Sequence, residues 1–262
     1  MNRWGLMLAA SLSLAITGCN QTGTEAEAAP QDQAVALDVL QAAVDNSARP
    51  EQARALDESR KPAEILQFLG LQEGDHVADV VSGGGYWAEI MADAVGEDGS
   101  VTALEPEQFY SEEVWSALTE RQPEIALERY RFEKLEAGTD RFDFAILNLV
   151  YHDTYWESEQ YDVPRSEPRD FLAALYGAMK PGGIVGVIDH TGPEGDTRQV
   201  VEDMHRIDPA VVKADFLEAG FELEATSDML ANPDDDLTLN VFNPEIRGKT
   251  DRFVYRFRKP AD

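Results

Sequence analysis

The chain has 262 residues, with 43% hydrophobic and 9% aromatic side chains, enough to bury a sizeable core and to exclude wholesale disorder. Its 50 Asp and Glu stand against 22 Lys and Arg, a formal charge of -28, which weighs against a nucleic-acid partner and against electrostatic docking on anionic lipid. The single cysteine, Cys19, excludes an intrachain disulfide and a cysteine-based zinc cluster.

At the N-terminus, Arg3 gives a short positive region, and Gly5 to Ile16 is a mostly apolar stretch of 12 residues. That is too short to span about 30 Å of hydrocarbon at ~1.5 Å per residue. It ends in Ile16-Thr17-Gly18-Cys19, which resembles the lipobox of bacterial lipoproteins. The resemblance implies a removable signal peptide over residues 1–18 and a lipidated Cys19. It also implies attachment to the periplasmic face of the bacterial cell envelope; a plain secretory signal is the alternative reading. After Met7 the next methionine is Met91, beyond the first strand and the glycine loop described below, so export is the expectation. Removing residues 1–18 takes away Arg3 and no acid, leaving 21 bases against 50 acids, or -29. Residues 19–33 beyond it lack large apolar side chains and read as a flexible tether.

The body begins with an N-terminal helical segment over residues 34–70: Ala34 to Val44 has helical periodicity, Arg49-Pro50 breaks it, and Glu51 to Leu69 reads as further helix, with Pro62 opening a new piece. Strands and helices then alternate through residues 71–262. His76 to Val81 reads as a strand, Tyr86 to Val95 as a helix ended by Gly96, Ser100 to Leu104 as a strand and Ser111 to Glu120 as a helix. Arg129 to Leu135 is the expected third strand, and Phe142 to Val150 a buried fourth. Phe171 to Met179 reads as a helix closed by Lys180-Pro181-Gly182-Gly183, before a strand at Ile184 to Ile188. Ala210 to Ala219 is a helix stopped by Gly220, followed by strands at Phe221 to Ala225 and Phe253 to Phe257. Repeated βα units imply an α/β fold, a mostly parallel sheet with helices on both faces.

The informative segment is Asp79-Val80-Val81-Ser82-Gly83-Gly84-Gly85-Tyr86-Trp87-Ala88, a strand running through three glycines into a helix. Such a loop lets backbone approach a ligand closely, and the helix N-terminus favours negative charge. Gly83-x-Gly85-x-x-Ala88, with Glu105 downstream, satisfies a dinucleotide-binding fingerprint. The acid before the glycines points elsewhere: Asp79-x-x-x-Gly83-x-Gly85 resembles the first motif of class I S-adenosylmethionine-dependent methyltransferases. The resemblance implies that Asp79 helps hold the methionine moiety, that Ser82, Gly83, Gly84 and Gly85 pass beneath the ligand, and that Glu105, ending the second strand, takes the ribose hydroxyls. Charge favours that cofactor, because a zwitterionic amino acid needs an anion beside its ammonium whereas a pyrophosphate would be repelled.

Met179-Lys180-Pro181-Gly182-Gly183 is a frequent methyltransferase turn, and the helix and strands after Asp208 match the family's closing hairpin. The chain also resembles a group of bacterial predicted methyltransferases, through Arg60-Lys61-Pro62-Ala63-Glu64, Tyr151-His152-Asp153, His205-Arg206-Ile207-Asp208-Pro209 and Arg247-Gly248-Lys249-Thr250-Asp251. The resemblance implies a Rossmann-like, doubly wound sheet of seven strands with an antiparallel C-terminal strand. One departure is Val81, where many relatives have glycine.

Methyl transfer requires positioning and a nucleophilic acceptor. His152, Asp153 and Tyr151 follow the fourth strand, His190 ends the fifth beside Asp189, and His205 precedes the last long helix; His76 begins a strand and reads as structural. His152 or His190 is a candidate general base, with loop hydrogen bonding as the alternative, and Tyr151 is a participant or a pocket wall. The histidines and Asp153 or Asp189 also suit a divalent metal, but no close ligand spacing occurs, and no metal is assigned. Arg60/Lys61 and Arg247/Lys249 are placed either to grip a carboxylate or to pair with surface acids. Asp234-Asp235-Asp236 lacks the spacing of a calcium loop and reads as a solvated acidic turn.

The lipobox sends the domain out of the cytoplasm, where the implied cofactor is made. Three readings follow: a membrane-anchored methyltransferase acting on a small-molecule acceptor, a binding or scaffold module on the same fold, and a nucleotide oxidoreductase, which Asp79 disfavours. The sequence leaves the acceptor atom and the oligomeric state open.

Overall fold

Apolar runs of strand length alternate with helices, and they assemble as that pattern requires. In a computed structural model, which describes Met1 and residues 34–261, the strands are β1 (His76–Val80), β2 (Ser100–Pro106), β3 (Ala126–Tyr130), β4 (Phe142–Asn148), β5 (Met179–His190), β6 (Glu222–Ser227) and β7 (Arg252–Arg258). Cys19, the lipobox and the tether lie outside the described residues. The seven strands form one sheet of order β3-β2-β1-β4-β5-β7-β6. The pairs from β3 through β5 are parallel, whereas β7 runs antiparallel to both β5 and β6. This is the expected doubly wound α/β sheet.

Nine helices cover it among the described residues: α1 (Leu37–Val44), α2 (Glu51–Arg54), α3 (Asp57–Arg60), α4 (Pro62–Leu69), α5 (Tyr86–Val95), α6 (Glu112–Arg121), α7 (Pro168–Ala178), α8 (Thr197–Met204) and α9 (Pro209–Glu218). The central strands feed two apolar cores by simple alternation. Phe144 and Ile146 of β4 pack with Leu40, Leu66, Ile90 and Trp115 on one face. Ala145 and Leu147 pack with Leu172, Leu175, Phe216 and Phe257 on the other. Burying each such large side chain contributes about 1.5–3 kcal/mol. Residues 34–70 share the first core, so the N-terminal helices are part of the same compact unit as the sheet.

One ion pair fixes those helices over the sheet. Arg49 is buried and donates to both carboxylate oxygens of Asp57, at 3.0 and 2.9 Å, and Asp57 also accepts from the Tyr86 hydroxyl at 2.7 Å. The start of α3 is thereby tied to the start of α5, beside the glycine loop.

Four elements differ from the sequence expectation. The third strand is Ala126–Tyr130 rather than Arg129 to Leu135. It is a half-exposed edge strand in which Glu128 accepts two hydrogen bonds from Arg141, so it carries no apolar alternation. A 3₁₀ turn at Tyr151–Tyr155 and helix α8 were not expected; α8 is capped by Asp196, whose carboxylate accepts from the Gln199 amide. The Lys180-Pro181-Gly182-Gly183 turn lies within β5, where the register to β4 shifts between Phe142 and Phe144.

Candidate functional site

The sheet order reverses between β1 and β4, and the crevice at their carboxyl ends is where open α/β sheets bind ligands. Beyond β1, Val81 has a φ of 57°, a left-handed conformation that is a genuine outlier for a β-branched residue. Its amide donates to the Leu104 carbonyl at 2.9 Å, which holds the strained turn against β2. Gly85, with φ 74°, begins α5; a Cβ there would stand 2.0 Å from Leu118 Cδ1, so only glycine allows the loop to close on α6. Nothing lies within 4 Å of a Cβ built at Gly83, whose backbone faces open space.

Two buried carboxylates support this loop. Asp79 accepts from the Ser82 hydroxyl at 2.5 Å and from the Ala88 amide at 3.1 Å. Burial pushes its carboxyl up to about 7, against those hydrogen bonds and the Arg60 charge. Glu105 accepts from the Gly83 amide at 2.7 Å through Oε2, while its Oε1 is buried without a hydrogen-bond partner. Burial, with Asp79 adding repulsion, pushes Glu105 up to about 8 against the Gly83 hydrogen bond. A cleft of about 820 Å³ opens above the loop, walled by Asp79, Ser82, Gly83, Gly84, Tyr86, Trp87 and Asn148 among others. Gly85 and Glu105 are not among its walls: Gly85 turns toward α6, and Glu105 is fully buried behind Gly83.

A second chamber of about 790 Å³ adjoins the first and shares the walls Leu56, Arg60, Val81, Phe109 and Leu149 with it. Three histidines meet there. The His152 ring lies 6.0 Å from that of His190 and 5.7 Å from that of His205, centroid to centroid. Behind His152, the fully buried Asp189 lies 2.7 Å from Nδ1 and accepts from the His152 amide at 2.9 Å; in front, Asp153 lies 3.3 Å from Nε2. Burial would lower His152, but the charges of Asp189 and Asp153 outweigh it and push the imidazole up to about 9. The same unit holds Asp189 below the usual carboxylate range, against its burial, while burial pushes Asp153 up to about 6. His190, 2.7 Å from the Thr250 hydroxyl, is pushed down by burial to about 3, and His205 likewise to about 4. At neutral pH the chamber therefore presents one imidazolium between two carboxylates and two neutral imidazoles.

Trp156, Tyr161 and Phe242 supply aromatic walls, and Arg247 and Arg252 complete the lining. Phe242 and Arg247 come from the long β6–β7 connection, which is held down by Arg206. That buried guanidinium pairs with Asp235 at 2.9 Å and donates to the Leu239 and Thr191 carbonyls. Asp235 is consequently a buried structural anchor, not part of a solvated turn, and its remaining oxygen positions receive the Leu237 and Asp251 amides.

Comparison with solved structures identifies the architecture. The chain superposes on an S-adenosylmethionine-dependent methyltransferase from Aquifex aeolicus with a TM-score of 0.55 and 21% identity, covering 80% of this chain and 98% of that one. The fold is the class I methyltransferase fold. A second structure of this kind is the 1,6-didemethyltoxoflavin-N1-methyltransferase of Burkholderia thailandensis, solved with 1,6-didemethyltoxoflavin and S-adenosylhomocysteine bound. It gives a TM-score of 0.52 at 16% identity, over 82% of this chain and 80% of that one. Residues 40–124 match the family model of protein-L-isoaspartate(D-aspartate) O-methyltransferase. A protein-L-isoaspartate O-methyltransferase of Methanococcus maripaludis strain C5 is 29% identical over 160 residues, 60% of this chain and 64% of the relative. The chain thus spans less than two thirds of the length of that relative. The family-model match covers the glycine loop and Glu105 and stops before the three histidines of the chamber.

Within this methyltransferase fold, the expected site residues divide. Asp79, Ser82, Gly83 and Gly84 line the cleft, and His152, Asp153 and His190 line the chamber. Tyr151 does not: its side chain is fully buried against Phe216, with its hydroxyl donating to Asp215 at 2.8 Å. In the tight 3₁₀ turn successive side chains diverge, so Tyr151 enters the core while His152 faces the chamber. Of the two basic pairs, Arg60 and Arg247 line the chamber, whereas Lys61 donates to the Met229 carbonyl and Lys249 is exposed. Arg252, Trp156 and Phe242 were missed. Arg252 reads as one residue of an alternating strand, and no local spacing marks it. Among the described residues no group of three or more His, Cys, Asp or Glu is placed to hold a metal ion.

Proposed function

We propose that the protein transfers a methyl group from S-adenosylmethionine to a small-molecule acceptor, and that lipid at Cys19 anchors it on the periplasmic face of the bacterial envelope. The observation that carries the first half is a pair of buried carboxylates at the carboxyl ends of adjacent strands, one retaining a buried, unpartnered acceptor atom, Glu105 Oε1. A buried acceptor left without a donor is costly, and a ribose diol would supply one. The donor set fits the cofactor: Asp79 for the ammonium, the Ser82–Gly84 backbone beneath, and Glu105 for the ribose. When bound, S-adenosylmethionine supplies a methyl group made electrophilic by its sulfonium.

The chain's own contribution beyond binding lies in the adjoining chamber. Asp189 fixes His152 as an imidazolium, which in turn orients Asp153. Asp153, lifted toward neutrality by burial, is the group with the proton affinity to take a proton from a hydroxyl or amine acceptor. His190 and His205, neutral over the working range, hydrogen-bond the acceptor and exclude water. This reading moves the base from the histidines to the carboxylate beside them.

Calorimetric titration of full-length protein in detergent tests the cofactor. The expected result is saturable one-to-one binding of S-adenosylmethionine and S-adenosylhomocysteine. No heat with either ligand, or binding of a nicotinamide dinucleotide instead, would sink the reading. The anchor is tested by labelling bacterial cells with radioactive palmitate: the wild type should incorporate label and sediment with membranes, and Cys19→Ser should do neither.

A further inference from the structure

The histidine chamber contains guanidiniums that make no ion pair among the described residues, in a chain of net charge -28. Arg252 is 8% exposed, and it donates one hydrogen bond, to the Ser59 carbonyl at 2.6 Å. Its Nε is buried with no partner, and among the described residues no carboxylate lies within ion-pair distance. Arg60, on the shared wall, makes no ion pair or hydrogen bond through its guanidinium among the described residues; it rests over the Tyr86 ring at 4.2 Å. Arg247 reaches the chamber from its exposed rim, also without an ion pair among the described residues. The lining includes one carboxylate, Asp153, and His152 already holds it.

With 50 acids available, leaving two largely buried guanidiniums unpaired is costly unless a ligand brings the anion. Burial, and for Arg252 the neighbouring Arg60 charge, lower the pKa of both, outweighing the more distant Asp79 and Asp57 charges on Arg60 and that of Asp251 on Arg252, so each gains from a counter-ion in contact. The rest of the chamber is apolar and aromatic, through Leu56, Phe109, Leu149, Trp156 and Phe242. Planar, bidentate donors in an aromatic box suit a carboxylate on an apolar or aromatic body.

We propose that the acceptor is such a small-molecule carboxylate, anchored by Arg252 and Arg60 with Arg247 closing from the rim, the carboxylate being an anchor distinct from the atom that is methylated. The proposal rests on the methyltransferase reading for the role of this chamber but not for its chemistry. Arg60 also lines the glycine-loop cleft, so the competing assignment is to the carboxylate of the cofactor itself.

The test is calorimetric titration of full-length protein with a panel of carboxylates and their neutral amides, 2-, 3- and 4-hydroxybenzoate against the hydroxybenzamides and hexanoate against hexanamide, each with and without S-adenosylhomocysteine. At least one acid should bind about tenfold or more tighter than its amide. Arg252→Gln should reduce that preference to about threefold or less, with Arg252→Lys intermediate, while S-adenosylhomocysteine affinity stays within about twofold. Should Arg252→Gln fail to fold by circular dichroism, Arg247→Gln, at an exposed position, should still cut the preference about threefold. Acids and amides binding alike across the panel would overturn the proposal. So would a parallel loss of S-adenosylhomocysteine affinity in Arg252→Gln, which would assign the arginines to the cofactor. A wild type that prefers carboxylates yet does not bind S-adenosylhomocysteine would sink the methyltransferase reading and leave the anion site standing.

Discussion

Replacing Asp79 by Asn should make the free protein more stable while destroying its cofactor site. The carboxyl is 3% exposed, and burial pushes it up to about 7 from an ordinary value of 3.8. A carboxyl whose folded value is raised leaves stability intact below about 3.8 and erodes it as pH rises toward 7. At ~1.4 kcal/mol per pH unit that interval has a ceiling of about 4 kcal/mol. Asn keeps the shape and one oxygen for the Ser82 and Ala88 donors, but its amide nitrogen lacks an acceptor, which costs about 1–2 kcal/mol. The net gain at pH 8 is about 2 kcal/mol, or about 5 °C in melting temperature for a chain of this size. Urea denaturation of wild type and Asp79→Asn at pH 5 and pH 8 measures it, with S-adenosylhomocysteine titrations alongside. The gain should be large at pH 8 and shrink by more than half at pH 5, while ligand affinity falls at least tenfold. A variant less stable than wild type at pH 8, or a difference that does not change with pH, would refute the electrostatic account of Asp79.

Wild-type affinity for S-adenosylhomocysteine should rise about tenfold between pH 6 and pH 8 as Asp79 ionises, and a flat profile would count against its pairing with the ligand ammonium. Glu105→Gln should weaken the same ligand about tenfold, read by calorimetry, because the buried Oε1 is then lost or replaced by a donor facing a hydroxyl. Asp189→Asn should bring His152 down by about two pH units or more from about 9, visible as a shifted titration of its ring protons by NMR; an unchanged titration would remove Asp189 from the proton-holding unit. Val81→Gly relieves about 1–2 kcal/mol of left-handed strain but gives back about 0.5–1 kcal/mol in chain entropy together with a half-buried isopropyl group, so its stability by urea denaturation should stay within about 1 kcal/mol of wild type. A loss above about 3 kcal/mol would mean that packing at the chamber wall outweighs the strain.

What could be read in the sequence depended on how local each feature is. The glycine-loop cleft was legible because strand, glycine turn and helix are contiguous, and the acid at the end of β2 falls at a fixed place after them. Three histidines were expected near the carboxyl ends of the strands, and the fold does bring His152, His190 and His205 into one chamber. Their division into one charged and two neutral rings was not legible, since it follows from which ring meets Asp189 and which rings meet only burial. Arg252 was invisible for a related reason: it lies in a strand whose alternation explains it fully, and its lack of a partner exists only in three dimensions. The edge strand β3 was displaced because an exposed strand need not alternate, and α8 was missed because its buried Val200 and Val201 are adjacent rather than one turn apart.

The two halves of the site meet where the backbone is strained. Val81 and Leu149, at the carboxyl ends of the neighbouring strands β1 and β4, have left-handed φ values of 57° and 60°, and both side chains line both chambers. The sheet order reverses between these strands, so the chain leaving β1 heads for one face and the chain leaving β4 toward the other. Each left-handed residue makes the sharp departure that keeps the crevice open. Each is held in that conformation by a strand hydrogen bond, from the Val81 amide to Leu104 and from the Leu149 amide to Ile188 at 2.7 Å. A glycine at either position would make the turn without strain, but it would leave no side chain on the shared wall. Aliphatic residues there give the turn and a shared wall in one feature, with Asp79 and the glycine loop on one side, His152 and Arg252 on the other, and Arg60 on the wall itself. The strain is thus explained by the wall these residues build between the glycine-loop cleft and the histidine chamber.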